Sequence, residues 1–305
     1  MGQRTIRLGA AVATATLIVC GCGTEAGKTS TPTEADTATA PSDGAAPTEP
    51  TVDATSTNAS NGDADPDAGV HLVVIGDSIP YNSPEDCPGC DGFVDRYADA
   101  LATATGRTVD ADNRSQHDGL TLPMLIGELN TFEDDLRDAD AIIVGIAHNS
   151  IALNEDHPCG SNWVDANNTF DDWTKLTDDC ATASAESYRT QYEELFSTIA
   201  NWRAGEPTVL LTINRYSDWL GWSDANLTPD QEATTVSFLD AWNTMLCDAA
   251  SSNGFTCVDV YHAFNGPDGS APSSDLLAED YTHPSDKGNE LIAQLLAETG
   301  FAPLV

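Results

Sequence analysis

The sequence predicts an α/β/α sandwich, with about five parallel strands layered between helices, and two observations carry that expectation. Short apolar runs alternate with stretches of helical periodicity from residue 71 onward, the order that builds a parallel sheet with helices on both faces. Several of the runs are unbroken, as strands covered on both sides require.

The N-terminus precedes that pattern. Arg4 and Arg7 form a short basic region, and Leu8 to Val19 is an apolar run too short to span a membrane as a mature helix. Val19-Cys20-Gly21-Cys22 closes the run. A small residue just before a cysteine at that place resembles the bacterial lipoprotein cleavage site. The resemblance implies a signal peptide over residues 1–21 and a lipid on Cys22; an ordinary secretory signal cut nearby is the alternative. Residues 22–69 are rich in Thr, Ala, Pro, Ser, Asp and Glu. Such a stretch buries too little apolar surface to offset its ordering entropy. It is expected to be a disordered tether ahead of one domain over residues 70–305.

Within that domain the strand candidates are His71–Ile75, Thr108–Ala111, Ala141–Ile146, Thr208–Ile213 and Phe255–Val260. Phe93, Tyr97 and Leu101 recur every four residues and stop before Gly106, which reads as a helix end. Further stripes run through Leu122, Leu125, Ile126 and Leu129, then Tyr188, Tyr192, Leu195, Phe196 and Ile199. Phe238, Trp242, Met245 and Ala249 make a fourth, and Leu291, Ile292, Leu295 and Leu296 a fifth. All read as core-facing helix surfaces.

Charge and cysteines limit the setting. Lys and Arg number 12 against 49 Asp and Glu, a net charge of −37. That balance excludes binding to phosphate backbones, disfavours docking on bare anionic headgroups, and favours neutral or cationic substrates. Of eight cysteines, Cys20 falls in the signal and Cys22 at the anchor. The remaining even set suits disulfides in an exported chain. Nearest-neighbour pairing gives Cys87–Cys90, Cys159–Cys180 and Cys247–Cys257. A zinc site on Cys87-Pro-Gly-Cys90 lacks a second Cys-x-x-Cys.

The chemistry sits where ligands bind in such sheets, outside the carboxyl ends of the strands. The first strand runs into Gly76-Asp77-Ser78, which projects a serine hydroxyl from the sheet top. Serine is a weak nucleophile at neutral pH and needs a base that is itself oriented by an acid. Asp280-Tyr281-Thr282-His283-Pro284 offers both. Three residues of spacing let one turn carry the carboxylate and the imidazole on the same side, with Pro284 suited to the first position of the following helix. No Gly-x-Ser-x-Gly elbow occurs, which argues against the α/β-hydrolase fold. Alone, either motif is also ordinary turn chemistry.

Together, Gly76-Asp77-Ser78 and Asp280-x-x-His283 resemble the first and last sequence blocks of the GDSL (SGNH) hydrolases. Gly119, after the second strand, and Asn149, after the third, match that family's middle blocks, so the resemblance covers about residues 71–303. It implies a flavodoxin-like strand order and a Ser78–His283–Asp280 triad. It also implies an oxyanion hole from Ser78 N–H, Gly119 N–H and the Asn149 amide. No metal or organic cofactor is required. The third block departs from the usual Gly-x-Asn-Asp: Ala147 and Ser150 stand in it, and His148 beside the asparagine is a candidate substrate contact. Tyr216 and Trp219, after the fourth strand, and Trp163, Phe170 and Trp173, in the long loop after the third, are candidates for stacking on a sugar or covering an acyl chain. His71, His117, His157 and His262 match no catalytic position and read as structural or surface residues. The expected activity is that of an exported esterase or lipase, monomeric and held at a membrane by its lipid anchor. Its substrate is a small-molecule, carbohydrate or lipid ester. A lipid-anchored binding protein on the same fold, or an acyltransferase using the same serine, are the alternatives.

Overall fold

The first apolar run forms β1 (Val70–Gly76) in the computed structural model, which describes residues 69–117, 119–149, 158–159, 172–221 and 226–305. The other strands are β2 (Val109–Asn113), β3 (Ala141–Gly145), β4 (Val209–Ile213) and β5 (Thr256–Val258). All pairings are parallel, in the order β2-β1-β3-β4-β5, the flavodoxin-like order expected from the sequence. The helices are α1 (Ser78–Tyr81), α2 (Phe93–Thr105), α3 (Leu122–Glu128), α4 (Glu133–Asp138), α5 (Asp178–Trp202), α6 (Pro229–Ser252), α7 (Val260–Asn265) and α8 (Asp286–Glu298).

Successive residues of a strand point to opposite faces, and the core divides accordingly. Leu72 and Val74 of β1, with Ile143 and Leu211, pack on Phe93, Tyr97 and Leu101 of α2 and on Ile292 and Leu296 of α8. Val73 and Ile75, with Ile142 and Val144, pack on Tyr192, Phe196 and Ile199 of α5 and on Trp242 and Met245 of α6. These are the residues of the helical stripes. Gly106 ends α2 in the left-handed region (φ +68°), where glycine pays no Cβ penalty. Thr228 and Gln231 form a reciprocal capping box at the start of α6.

Most strand ends fall within two residues of expectation, and three departures have a clear local reason. The run expected as a strand to Val260 ends at Val258 because the Asp259 side chain accepts the His262 N–H and caps α7. The second stripe does not make one helix. It breaks at a 3₁₀ turn over Leu129–Phe132 before α4. Pro284 is not the first residue of α8. It lies in a short bridge with Leu277, and Ser285 supplies the cap by accepting the Gly288 N–H.

The disulfides are Cys87–Cys90, Cys159–Cys180 and Cys247–Cys257, and three disulfides suggest an exported protein. Among the described residues no helix is long and apolar enough to cross a membrane. The expected signal peptide, Cys22 and nearly all of the tether lie outside the described residues.

Candidate active site

Gly76 and Gly145 face each other at the top of β1 and β3. A Cβ on Gly76 would fall 2.0 Å from the Gly145 carbonyl oxygen, so only glycine allows this close crossing. The chain then turns sharply, and Asp77 caps α1 by accepting the Ile79 N–H at 3.0 Å. Its other oxygen accepts the N–H groups of Ala147 and His148, each at 3.1 Å. One buried carboxylate thus joins the exit of β1 to the exit of β3. Burial pushes its pKa up, against the opposing pull of those backbone donors and of Arg215. Ser78, the first residue of α1, is 8% exposed at the sheet top.

The segment before α8 brings His283 to it. Ala278 N–H donates to the His283 carbonyl at 2.8 Å, and Tyr281 takes a left-handed conformation (φ +61°), which is uncommon for a bulky residue. Asp280 Oδ1 accepts the N–H groups of Thr282 and His283 at 3.0 and 3.1 Å. Its Oδ2 lies 2.5 Å from His283 Nδ1, and His283 Nε2 lies 2.9 Å from Ser78 Oγ. With the Nδ1 proton given to the carboxylate, Nε2 is the acceptor that faces the hydroxyl. Burial opposes charge on His283, but the Asp280 hydrogen bond and the carboxylates of Asp280, Asp86 and Asp77 outweigh it and raise its pKa above 6.5. Asp280 is likewise lowered despite partial burial, chiefly by the His283 hydrogen bond and the two backbone donors.

The same local motif occurs a second time. Asp259 accepts the His262 N–H at 3.2 Å and meets His262 Nδ1 at 2.7 Å. The Asp-x-x-His turn is therefore generic chemistry of a short turn, and the presence of Ser78 distinguishes the pair at 280 and 283.

Two neighbours of His283 were not expected. Asp86, in the turn that runs into the Cys87–Cys90 disulfide, places Oδ2 3.4 Å from His283 Nε2 and 3.1 Å from His117 Nε2. His117, read from the sequence as structural or surface, instead has its ring 6.3 Å from that of His283. Its place in the stretch just before Gly119 was the one available signal. One ligand atom each from Asp86, Asp280 and His283 lie within 4.8 Å of one another. The hydrogen bonds and charge attraction just described account for this grouping.

The residues expected around the oxyanion fall in different states. Asn149 Nδ2 and His148 Nε2 are buried and meet no partner among the described residues. Burial, with Arg215 and His283 nearby, holds the His148 pKa well below 6.5, so its imidazole is neutral. Gly119 has φ +67°, and its N–H donates to the His117 carbonyl at 3.0 Å.

Tyr216 is not at a substrate surface. It is fully buried, its ring stacks on Phe264 at 4.4 Å and lies 4.5 Å from His148, and its hydroxyl donates to the Thr282 carbonyl at 2.7 Å. It thus props the turn that carries His283. Trp219 stays partly exposed, with its ring edge-on to Trp173 at 6.1 Å. Trp163, Phe170, His157 and Ser150 lie outside the described residues.

The family model of the GDSL-like lipase/acylhydrolases matches residues 74–291. Among solved structures, a lipase from a goat rumen metagenome is similar, with a TM-score of 0.58 at 16% identity over 77% of this chain and 100% of that one. An α/β hydrolase from the metagenome of Lake Arreo, Spain, gives 0.49 at 18% identity over 78% and 98%. The acetylxylan esterase of Geobacillus stearothermophilus gives 0.47 at 16% identity over 76% and 94%. No curated protein matches the sequence.

Proposed function

The chain belongs to the GDSL-like lipase/acylhydrolase family, and from that premise we propose that it hydrolyses carboxylic esters outside the cytoplasm through an acyl-enzyme on Ser78. The observation that carries this reading is the hydrogen-bonded chain from Ser78 through His283 to Asp280, closed across 205 positions of sequence between serine and histidine. Ser78 Oγ attacks the ester carbonyl while its proton passes to His283 Nε2. Asp280 holds the imidazole orientation and balances the charge that forms. The tetrahedral oxyanion is received by Ser78 N–H and the Asn149 amide, whose Nδ2 has no partner among the described residues. Gly119 N–H joins them by leaving the His117 carbonyl. His283 then protonates the departing alcohol, and a water deprotonated by the same nitrogen releases the acid.

The substrate is a neutral small-molecule, carbohydrate or lipid ester, with the partly exposed Trp219 an aromatic face to meet it. Cys22 carries the lipid anchor, and residues 22–69 hold the monomeric domain, residues 70–305, away from the membrane.

The test is turnover of p-nitrophenyl esters from acetate to palmitate by the oxidatively folded full chain. Ser78→Ala and His283→Ala each remove turnover to near the uncatalysed rate. Asn149→Ala lowers kcat by roughly 100- to 1,000-fold with little change in melting temperature, since it breaks no hydrogen bond at Nδ2. Unchanged turnover in Ser78→Ala would sink the reading, and the chain-length preference separates a short-chain esterase from a lipase.

A further inference from the structure

We propose that Asp86 is a specificity-determining residue that selects esters whose leaving alcohol carries a second hydroxyl beside the ester oxygen, as in a polyol or sugar ester. This inference rests on the ester-hydrolase reading above.

The argument starts from where a leaving group must lie. The proton that His283 Nε2 takes from Ser78 is handed to the leaving oxygen, so that oxygen must come within hydrogen-bond reach of Nε2. Asp86 Oδ2 is 3.4 Å from that same nitrogen. A leaving oxygen within about 3 Å of Nε2 then lies no more than about 6.4 Å from that carboxylate oxygen, within reach of a hydroxyl on the neighbouring carbon of the alcohol.

The carboxylate is held in place before any substrate arrives. Asp86 N–H and Cys87 N–H both donate to the Ser83 carbonyl, at 3.1 and 3.2 Å. Glu85 N–H donates to Ser83 Oγ at 3.1 Å, and the turn runs into the Cys87–Cys90 disulfide. His117 Nε2 fixes Oδ2 at 3.1 Å, and the side chain is only 16% exposed. Oδ1 accepts no hydrogen bond from the described residues. A pre-positioned, largely buried acceptor with a free oxygen is a site for a donor hydroxyl. Tyr81, 44% exposed with its ring 5.5 Å from that of His117, adds a flat face beside it for the carbon skeleton of such an alcohol.

The alternatives fit less well. A plain alkyl alcohol would strip water from Asp86 and return no hydrogen bond, which a charged acceptor resists. An anionic alcohol would meet Asp86, Asp280 and Asp77 together. A cationic alcohol is not called for, because Asp86 already faces His117 and, at the moment of proton transfer, an imidazolium on His283. A hydroxyl donor satisfies Oδ1 without adding charge.

The experiment compares acetate esters that share the acyl group and differ in the alcohol. Propyl acetate, glycerol monoacetate and acetylcholine are assayed with the full-chain protein, and p-nitrophenyl acetate serves as the general esterase probe. Selectivity is read as a ratio of kcat/KM within each enzyme, so any change at His283 that affects all esters cancels. The wild type is expected to favour glycerol monoacetate over propyl acetate by roughly 10- to 100-fold. Asp86→Ala brings the ratio close to one, and Asp86→Asn, which keeps an acceptor oxygen and the side-chain shape, retains part of it. A wild-type ratio near one overturns the proposal without need of any variant. So does a ratio that Asp86→Ala leaves intact, or a preference for acetylcholine over glycerol monoacetate. Turnover of p-nitrophenyl acetate with a flat ratio sinks the leaving-group assignment alone. No turnover of any ester sinks the hydrolase reading and this inference with it.

Discussion

In the proposed mechanism His283 must be neutral to take the serine proton, and its surroundings decide the pH at which that form prevails. Burial lowers its pKa, while the Asp280 hydrogen bond and the charges of Asp280, Asp86 and Asp77 raise it, with a net upward shift from 6.5. His117 also faces this ring across Asp86, and His148, whose pKa burial holds well below 6.5, lies near enough to feel its charge. The sign follows directly: a raised pKa keeps the imidazolium to higher pH and removes the base there. The acid limb of kcat/KM is therefore expected to have its midpoint above 6.5. Asp86→Asn, which removes one raising charge, moves that midpoint to lower pH. A pH–rate profile on an uncharged ester checks both, and an unmoved limb in the variant would show that Asp86 does not act on the base. The same cluster shows what a single sequence can and cannot reveal about a site. Ser78, Asp280 and His283, which the structure brings into one hydrogen-bonded chain, were singled out in the sequence by the conjunction of two motifs, neither of which is distinctive alone. Asp86 was not, since its contact with His117 spans 31 positions and nothing in its sequence neighbourhood marks it. Tyr216 looked like a surface aromatic among polar residues, yet it is buried because its hydroxyl finds the Thr282 carbonyl.

The exits of β1 and β3 work as one element. Gly76 and Gly145 cross without side chains, and the Asp77 carboxylate accepts one N–H from its own turn and two from the turn carrying His148 and Asn149. The turn that carries Ser78 and the turn that carries Asn149 are thereby tied to the same buried group. Asp77→Asn keeps the shape but replaces one acceptor oxygen with an NH₂, which would face a backbone N–H. Such a mismatch is expected to cost about 1–3 kcal/mol of stability and to lower kcat more than it raises KM, because it displaces donors to the transition state rather than contacts to the bound ester. Urea unfolding and steady-state kinetics on the same preparation measure the two effects. A stability loss with kcat intact would confine Asp77 to holding the fold. At this scale the strands and long helices were readable from apolar runs and period-3.6 stripes. Their ends were less so, since Asp259, Leu129–Phe132 and Ser285 set them through side-chain caps and tight turns that periodicity does not register.

The whole chain carries a net charge of −37, and that field acts on both folding and encounter. Most of that charge lies within residues 70–305, where like charges repel, and salt screens the repulsion, with a Debye length of about 10 Å at 0.1 M. Raising NaCl from about 10 mM to 0.5 M is expected to stabilise the domain by roughly 1 kcal/mol, or about 2–4 °C in melting temperature. Specific surface ion pairs such as Arg137–Glu133 and Arg189–Glu186 pull the other way, but exposed pairs are each worth little. The excess of acid over base should therefore set the sign. The same field reaches the substrate. Asp86 and Asp280 lie against His283 and Asp77 adjoins Ser78, so an anionic ester approaches against both the local and the overall potential. For a half-ester of a dicarboxylic acid, kcat/KM should rise with ionic strength, whereas for a neutral ester of equal size it should stay flat. Matching salt profiles for the two esters would mean that the acidic surface serves solubility alone and leaves discrimination to the few groups within reach of Ser78.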